Sequence, residues 1–577
     1  MNFKQYLDTL KLSSKDAIVD GEEDSLSDLK KYLHIERNVE KDLVNQLLAA
    51  QQAEGSQLIF LMGNVGDGKS HLMAKMWEDH PQCMAEFNVY NDATESLSPD
   101  KTYLENLDEV FLPYTDSALE SPASAVKTII AINLGTLTNF LEETKLDFVR
   151  LRDYIVKNQL IERKVRFDEP YKDTAFQALN LTDYHIFVLK VSGMECQVLT
   201  SIIQRITAKD AANPFYSAYL EYYQNHPHTD QCPIKYNYDL LSSPVVQQSL
   251  GELLVKIVLS DKLIVSVRLL MNWIYDLIVS PTFSSLSLEE ITDRTGLRAF
   301  VTEFYDHSLP SLLFDSSSTS FILKSIRAHE PVSTSNEGLE MLMIKLGTSS
   351  SPVNYFLQYN LIPEDGIFSQ LIPLMDIKQK LPLFLRLHFL LKSDLGGGVN
   401  DDYFRDFLHN LYWFNLGDFI KLLPLYEQVK YAVYHWNGTA AQDHINLNIG
   451  KKQSAYKISQ KMELDPSPVD IGKSTSQEMQ KFCEYLLVGF KISPEGYSEL
   501  EIDYNLYRLI RNINKGYRPN RIDKSVHLKF SQFVERLTKY RSQTKELTIQ
   551  EFTGEIRKKF SLQYTPGFEH FKFIEIE

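Results

Sequence analysis

Residues 57–62 (QLIFLM) form a continuous apolar run bounded by Gly55 and Gly63. A run this short and this apolar reads as a strand buried on both faces, as parallel strands are. Upstream, SLSDLKKYL and VEKDLVNQLLAAQQ space their apolar residues as helices do. Downstream, helical and strand-like patterns alternate. A helix is expected at 70–77, a short strand at 87–90 ending in NDATES, and a helix at 100–112. A second β-branched run, TIIAIN at 128–133, is expected as a buried strand, followed by a long charged helix over about 137–157. YHIFVLKV at 184–191 is expected to close the series. Such alternation predicts a parallel α/β sheet flanked by helices.

From about residue 200 the spacing is helical almost throughout. Over 265–278 an apolar stripe runs through Leu269, Leu270, Trp273, Ile274, Leu277 and Ile278, with Arg268, Asn272 and Asp276 on another face. The Ser-rich stretches at 316–320 and 347–352 and the triple glycine at 396–398 read as loops. The division that follows is an N-terminal helical segment (1–50), an α/β core (51–200), a helical lid (201–290) and a mainly α-helical C-terminal region (291–577).

Composition sharpens this only a little. A length of 577 residues suits three or four compact units of roughly 150 residues. The 44% hydrophobic and 24% charged shares exclude a wholly disordered chain. A net charge of −16 argues against a surface that is one cationic sleeve for DNA, and leaves a local basic face open. Cys83, Cys196, Cys232 and Cys483 form no CxxC pair and no disulfide framework. The His226 to Cys232 stretch, with metal-ligand residue types but no nearby fourth ligand, reads as a polar loop. The first residues lack a signal-peptide apolar region, and no stretch of about 20 uncharged apolar residues could span a bilayer. A soluble cytoplasmic protein is expected.

The residues that carry chemistry follow the first strand. Gly63-Asn64-Val65-Gly66-Asp67-Gly68-Lys69-Ser70 fits G-x-x-x-x-G-K-[ST]. In that pattern glycines let backbone N–H groups turn inward around phosphate oxygens at the start of a helix, whose dipole favours anions. Lys69 would reach the β- and γ-phosphates and Ser70 would ligate Mg²⁺. With His71, these residues are the expected nucleotide-binding set, and the core is expected to be a P-loop NTPase, AAA-like with its helical lid. ATP and Mg²⁺ are the expected ligands.

Hydrolysis also needs an acid for the metal and a polar group for the attacking water. No strand ends in the usual Asp-Glu. Asp92 and Glu95 end the second strand and serve as candidates, Asp92 also for Mg²⁺; a solvated, helix-capping loop is the other reading. Asn133 ends TIIAIN, where it either senses the γ-phosphate or simply starts a turn. Arg268 either folds from the lid onto the phosphates or snorkels over apolar neighbours. Asp108 and Glu109 read as the polar face of an amphipathic helix.

Between Arg508 and Lys545 lie eleven basic residues and two acids, a local +9, with Tyr507, Tyr517, Phe530 and Tyr540 interleaved. This is either a phosphate-contacting strip or a face that docks on an acidic protein surface, including the chain's own.

Taken together and in order, GNVGDGKSHL, YNDATES, IIAINLGTLTNF, CPIKYNYDLL and VSVRLLMNWIYDLI resemble the DptF (DndF) family of DNA phosphorothioation-dependent restriction proteins. GYRPN at 516–520 and the closing PGFEHFKFIEIE are also similar. The resemblance implies an ATPase component that acts with DptG- and DptH-like subunits to restrict DNA lacking the backbone modification. No nuclease constellation is visible, so this subunit is not expected to cut. A nucleotide-bound scaffold, or a signalling ATPase, that assembles partner subunits remains the alternative.

Overall fold

A computed structural model describes residues 1–13, 27–64, 66–93, 101–120, 125–161, 170–226, 229–292, 297–315, 320–333, 337–391, 402–438, 442–447, 456–469, 472, 474–492, 496–540, 546–551, 558–565 and 570–576. Val65, Glu95 and the stretches at 316–319 and 396–398 lie outside the described residues.

The architecture is mixed α/β around a four-stranded parallel sheet. Its strands are β1 (Gln57–Met62), β2 (Asn88–Tyr90), β3 (Lys127–Ile132) and β4 (Phe176–Asn180), in the order β2-β3-β1-β4. β1 is buried at every position and pairs with β3 from Gln57↔Lys127 to Met62↔Ile132, and with β4 from Leu58↔Phe176 to Met62↔Asn180. Because side chains alternate along a strand, the sheet feeds two cores. Leu58, Phe60, Met62, Ile130 and Ile132 pack with Phe111, Phe140 and Tyr154 on one face. Ile59, Leu61, Ile129 and Ala131 meet Leu43, Leu47, Met73 and Met76 on the other. The second set comes from helix Asn38–Gln52 and from helix Lys69–Asp79, which leaves the Gly-rich loop.

Two expectations within this core are corrected. The 184–191 run is not a strand of the parallel sheet: Val188–Lys190 pairs with Gly193–Glu195 in a separate hairpin and bridges to Met479, and FQALN supplies the fourth strand. Ile186, Phe187 and Leu189 belong to the large core of the lid and C-terminal region instead. The long helix over 137–157 is two helices, Leu134–Glu143 and Val149–Lys157. The break falls at Thr144, whose hydroxyl donates to Asp108 Oδ1 at 2.6 Å.

The C-terminal region is helical through helix Phe419–His435, after which strands mix with helices Tyr504–Asn514, Arg521–Val526 and Leu528–Tyr540. Beyond it lie an antiparallel three-stranded sheet and a five-stranded sheet that includes Tyr456–Lys461, Glu546–Glu551, Lys559–Thr565 and His570–Ile576. The expectation of a mainly helical C-terminal region is therefore corrected for this part. One continuous hydrophobic core joins the N-terminal helix Phe3–Asp8, the helices around Leu254 and Trp273, and the C-terminal residues Leu411, Leu486 and Tyr507. The lid and the C-terminal region are thus packed as one body. Among the described residues no helix is long and apolar enough to cross a membrane.

Candidate nucleotide site

Four parallel strands present their carboxyl ends to one edge, and there the chain leaves β1 toward β2 and leaves β3 toward β4 on the opposite side. Ligands of open α/β sheets bind in such a crevice. The loop after β1 has the backbone that its glycines permit. Gly66 and Gly68 hold φ of +87° and +96°, a left-handed conformation that costs an L-residue roughly 1–2 kcal/mol. A Cβ on Gly66 would also lie 3.0 Å from Ser266 Oγ. Gly68 is the N-cap of helix Lys69–Asp79, whose first turn carries no acid to offset the dipole.

The loop satisfies its own charges locally. Lys69 Nζ donates to the carbonyls of Gly63 and Asn64, both at 2.9 Å, and has one further N–H to give. The Asn64 N–H donates to Asp67 Oδ2 at 2.6 Å. A carboxylate oxygen therefore already occupies a backbone donor of the loop, as a phosphate oxygen would. Burial pushes the Asp67 carboxyl up from its ordinary value, against the opposing pull of the Asn64 N–H and of Lys69. Burial likewise pushes the Lys69 ammonium down, opposed by Asp67 and Asp92.

The other predicted residues fall unevenly around this loop. Asp92 is exposed just past β2 and acts on Lys69 electrostatically. β3 separates its strand from β1. Asn133 accepts from the Thr136 N–H at 2.8 Å and caps helix Leu134–Glu143. Its side-chain carbonyl oxygen also accepts the Thr136 hydroxyl at 2.9 Å. Arg268 opens helix Val267–Ile278, which abuts the loop: the Arg268 Cβ lies 3.9 Å from the Gly66 Cβ position. Its guanidinium, however, donates to the Leu12 carbonyl in the N-terminal segment, while its Nε is buried without a partner. The His71 ring is also committed, its Nε2 lying 2.9 Å from His34 Nδ1, with His34 Nε2 3.1 Å from Glu40 Oε2.

Two residues at the site carry no motif in the sequence. Arg37 is the N-cap of helix Asn38–Gln52, and its Nη2 donates to the Asp67 carbonyl at 3.2 Å. It brings a second cation to the loop, one whose pKa burial lowers. Asp183 follows β4 and accepts from Asn180 Nδ2 at 3.2 Å, its carboxyl pushed up by burial. Both line a cleft of about 600 Å³ that opens beside Asn64 and Asp67.

The basic segment is divided between internal and outward roles. Arg511 pairs with Asp406 at 2.7 Å, Lys529 pairs with Glu501 at 2.9 Å, and Lys524 donates to Asn437 Oδ1. Arg518 and Arg521 are exposed and make no ion pair among the described residues. Arg518 faces Lys457, whose ammonium is pushed down first by burial and then by that neighbouring charge. Cys232 is buried against the Tyr223 hydroxyl, and no metal-ligand cluster occurs among the described residues.

The fold and loop together define an α/β protein whose parallel sheet carries, at its carboxyl edge, a glycine-rich loop that leads into helix Lys69–Asp79. No protein-family model, curated protein or solved structure matches the chain.

Proposed function

We propose that this chain is a P-loop ATPase and the nucleotide-driven component of a bacterial, cytoplasmic restriction complex directed at DNA that lacks phosphorothioate. The loop geometry carries the nucleotide part: two left-handed glycines, an inward Asn64 N–H and the Lys69 ammonium converge at a helix start. That donor set fits a triphosphate. Ser70 and Asp92 would hold Mg²⁺, which would supply neutralisation of phosphate charge. Lys69 would trade its carbonyl partners for phosphate oxygens, and Asp67 would give up the Asn64 N–H. The restriction role and the DptG- and DptH-like partners rest on the family strings.

A second reading, a nucleotide-bound scaffold with little turnover, is favoured by one observation. Asp92 is exposed at the end of a three-residue strand, and Asn133 is engaged in capping. ATP binding and ATP turnover, measured on the protein with its partners and with unmodified DNA, separate the two readings. Lys69→Ala is expected to abolish both. Equal turnover by wild type and Lys69→Ala would overturn the ATPase reading, and binding without any turnover would select the scaffold.

A further inference from the structure

The cleft beside the loop is not walled by the α/β core alone. Residues 181–187 after β4 form one side and residues 258–267, leading into the Arg268 helix, form another. The third wall comes from residues 482–485 of the C-terminal region, some 300 positions away in the chain. We propose that this C-terminal strap, residues 479–485, is part of the nucleotide site and holds the base-and-sugar half of the nucleotide whose phosphates occupy the Gly63–Ser70 loop. The inference rests on the nucleotide reading above and adds to it where the nucleoside lies and what grips it.

Three observations carry it. The first is continuity: Asn64, Asp67 and Arg37 line the same cavity as Tyr184, Phe482 and Tyr485. A ligand with its phosphates on the loop therefore has this space next to it. The second is size and character. About 600 Å³ lies within the roughly 300–1,000 Å³ of small-molecule sites, and a lining of apolar groups, with the half-exposed Tyr485 ring and a few polar side chains, suits a nucleoside. Asp183 adds a half-buried acceptor for hydroxyl or amino donors.

The third is that the strap is pinned on both sides of the wall it forms. Leu189 and Met479 exchange backbone hydrogen bonds at 2.9 and 3.0 Å. The His185 N–H donates to the Gln480 carbonyl at 3.0 Å. The His185 ring then lies against Phe482, with centroids 4.2 Å apart; Nε2 is 2.9 Å from the Phe482 carbonyl and Nδ1 is 3.2 Å from Glu484 Oε1. Both ring nitrogens face acceptors, which favours the imidazolium. Glu484 and the Phe482 carbonyl raise the His185 pKa in spite of burial. Lys481 caps the Tyr184 ring at 4.0 Å and lies 3.6 Å from Asp42, which also accepts the Tyr184 hydroxyl. Such a wall is preorganised, and a preorganised wall loses little freedom when a ligand binds.

The test compares ATP with inorganic tripolyphosphate, which can use the loop but not the cleft, on the full-length protein with Mg²⁺. Phe482→Ala and Glu484→Gln are each expected to weaken ATP binding about tenfold or more and to leave the tripolyphosphate affinity unchanged. Lys69→Ala is expected to lose both ligands. In wild type, amide hydrogen exchange of residues 479–485 is expected to slow with ATP and not with tripolyphosphate. This readout does not depend on any variant folding. Wild-type ATP affinity in both strap variants, or exchange at 479–485 that ATP leaves unchanged, would overturn the proposal while the loop reading stands. Binding of neither ligand by wild type would overturn the nucleotide reading and this inference with it.

Discussion

Acid should loosen the helix that follows the loop, and His71 sets by how much. The ring lies in the first turn of helix Lys69–Asp79, stacked on His34 with centroids 5.1 Å apart. Burial pushes its pKa from 6.5 to about 4, with the His34 charge adding to the fall and Glu40 opposing it. A helix start also disfavours a cation. Since the folded pKa lies below the unfolded one, the opened helix takes up the proton first as pH falls. The stabilisation is therefore full above about pH 6.5 and is lost progressively toward pH 4. At about 1.4 kcal/mol per pH unit, the linkage relation gives a loss of about 2 kcal/mol between pH 7 and pH 5. The assay is the opening free energy of residues 69–79 by hydrogen exchange, corrected for intrinsic pH dependence, in wild type and in His71→Gln. Wild type should lose about 2 kcal/mol more than the variant over that interval. Parallel profiles, or a histidine NMR titration that places His71 near 6.5, would refute the reasoning.

Gly66→Ala should both destabilise the loop by roughly 1–2 kcal/mol, from its left-handed φ, and press on Ser266. A lowered melting temperature together with weakened ATP binding is the expected pair of results. Arg37→Ala removes a half-buried cation beside the loop. If the guanidinium makes one charge-assisted bond to phosphate, worth roughly 1.5–3 kcal/mol, ATP affinity should fall about 10- to 100-fold by calorimetry. For the basic segment, neutralising Arg518 and Arg521 together should reduce the salt-dependence slope of DNA binding by about 2, on the order of 0.9 per phosphate contact. Arg511→Ala should leave that slope unchanged, because Arg511 is already paired with Asp406. An unchanged slope in the double variant, with loss of partner binding, would make the face a protein interface.

The strands legible in the sequence are those whose burial is uniform. QLIFLM and TIIAIN lie in the middle of the sheet, packed on both faces, so every position is apolar or nearly so. FQALN was illegible because it is an edge strand with half-buried polar positions: Gln177 bonds Gln57, and Asn180 turns back to cap the next residues. YHIFVLKV misled for the opposite reason. Its apolarity serves the lid core, and a short apolar run does not say which core it joins. The C-terminal strand HFKFIEI shows alternation, but the sheet it belongs to also takes Tyr456–Lys461 from far upstream, a pairing no local pattern reveals. At the site, the loop was legible because its backbone demands particular residues at fixed spacing. Arg37 was not, because nothing local distinguishes an arginine that caps a helix from one that also reaches a loop 30 residues on.

The loop is contacted by three segments that have no local reason to be neighbours. Arg37 holds the Asp67 carbonyl, Leu181 closes on Gly63, and Ser266 closes on Gly66. Asp67 sits at the centre of this arrangement, since its carboxylate uses the N–H that a phosphate would need, while its carbonyl engages Arg37. On the proposed reading, a bound phosphate must displace that carboxylate, and like charge then drives the two apart. A shift of the Asp67 backbone changes the partner available to Arg37 and the space left to Ser266. Ser266 caps the helix whose Arg268 holds Leu12, and that helix is packed in the core shared with the C-terminal region. Nucleotide occupancy can therefore be transmitted to the N-terminal segment and to the C-terminal body by rigid elements already in contact, whether or not hydrolysis follows. That is why a scaffold that binds nucleotide and a motor that turns it over share one structure here, and why turnover, not binding, decides between them.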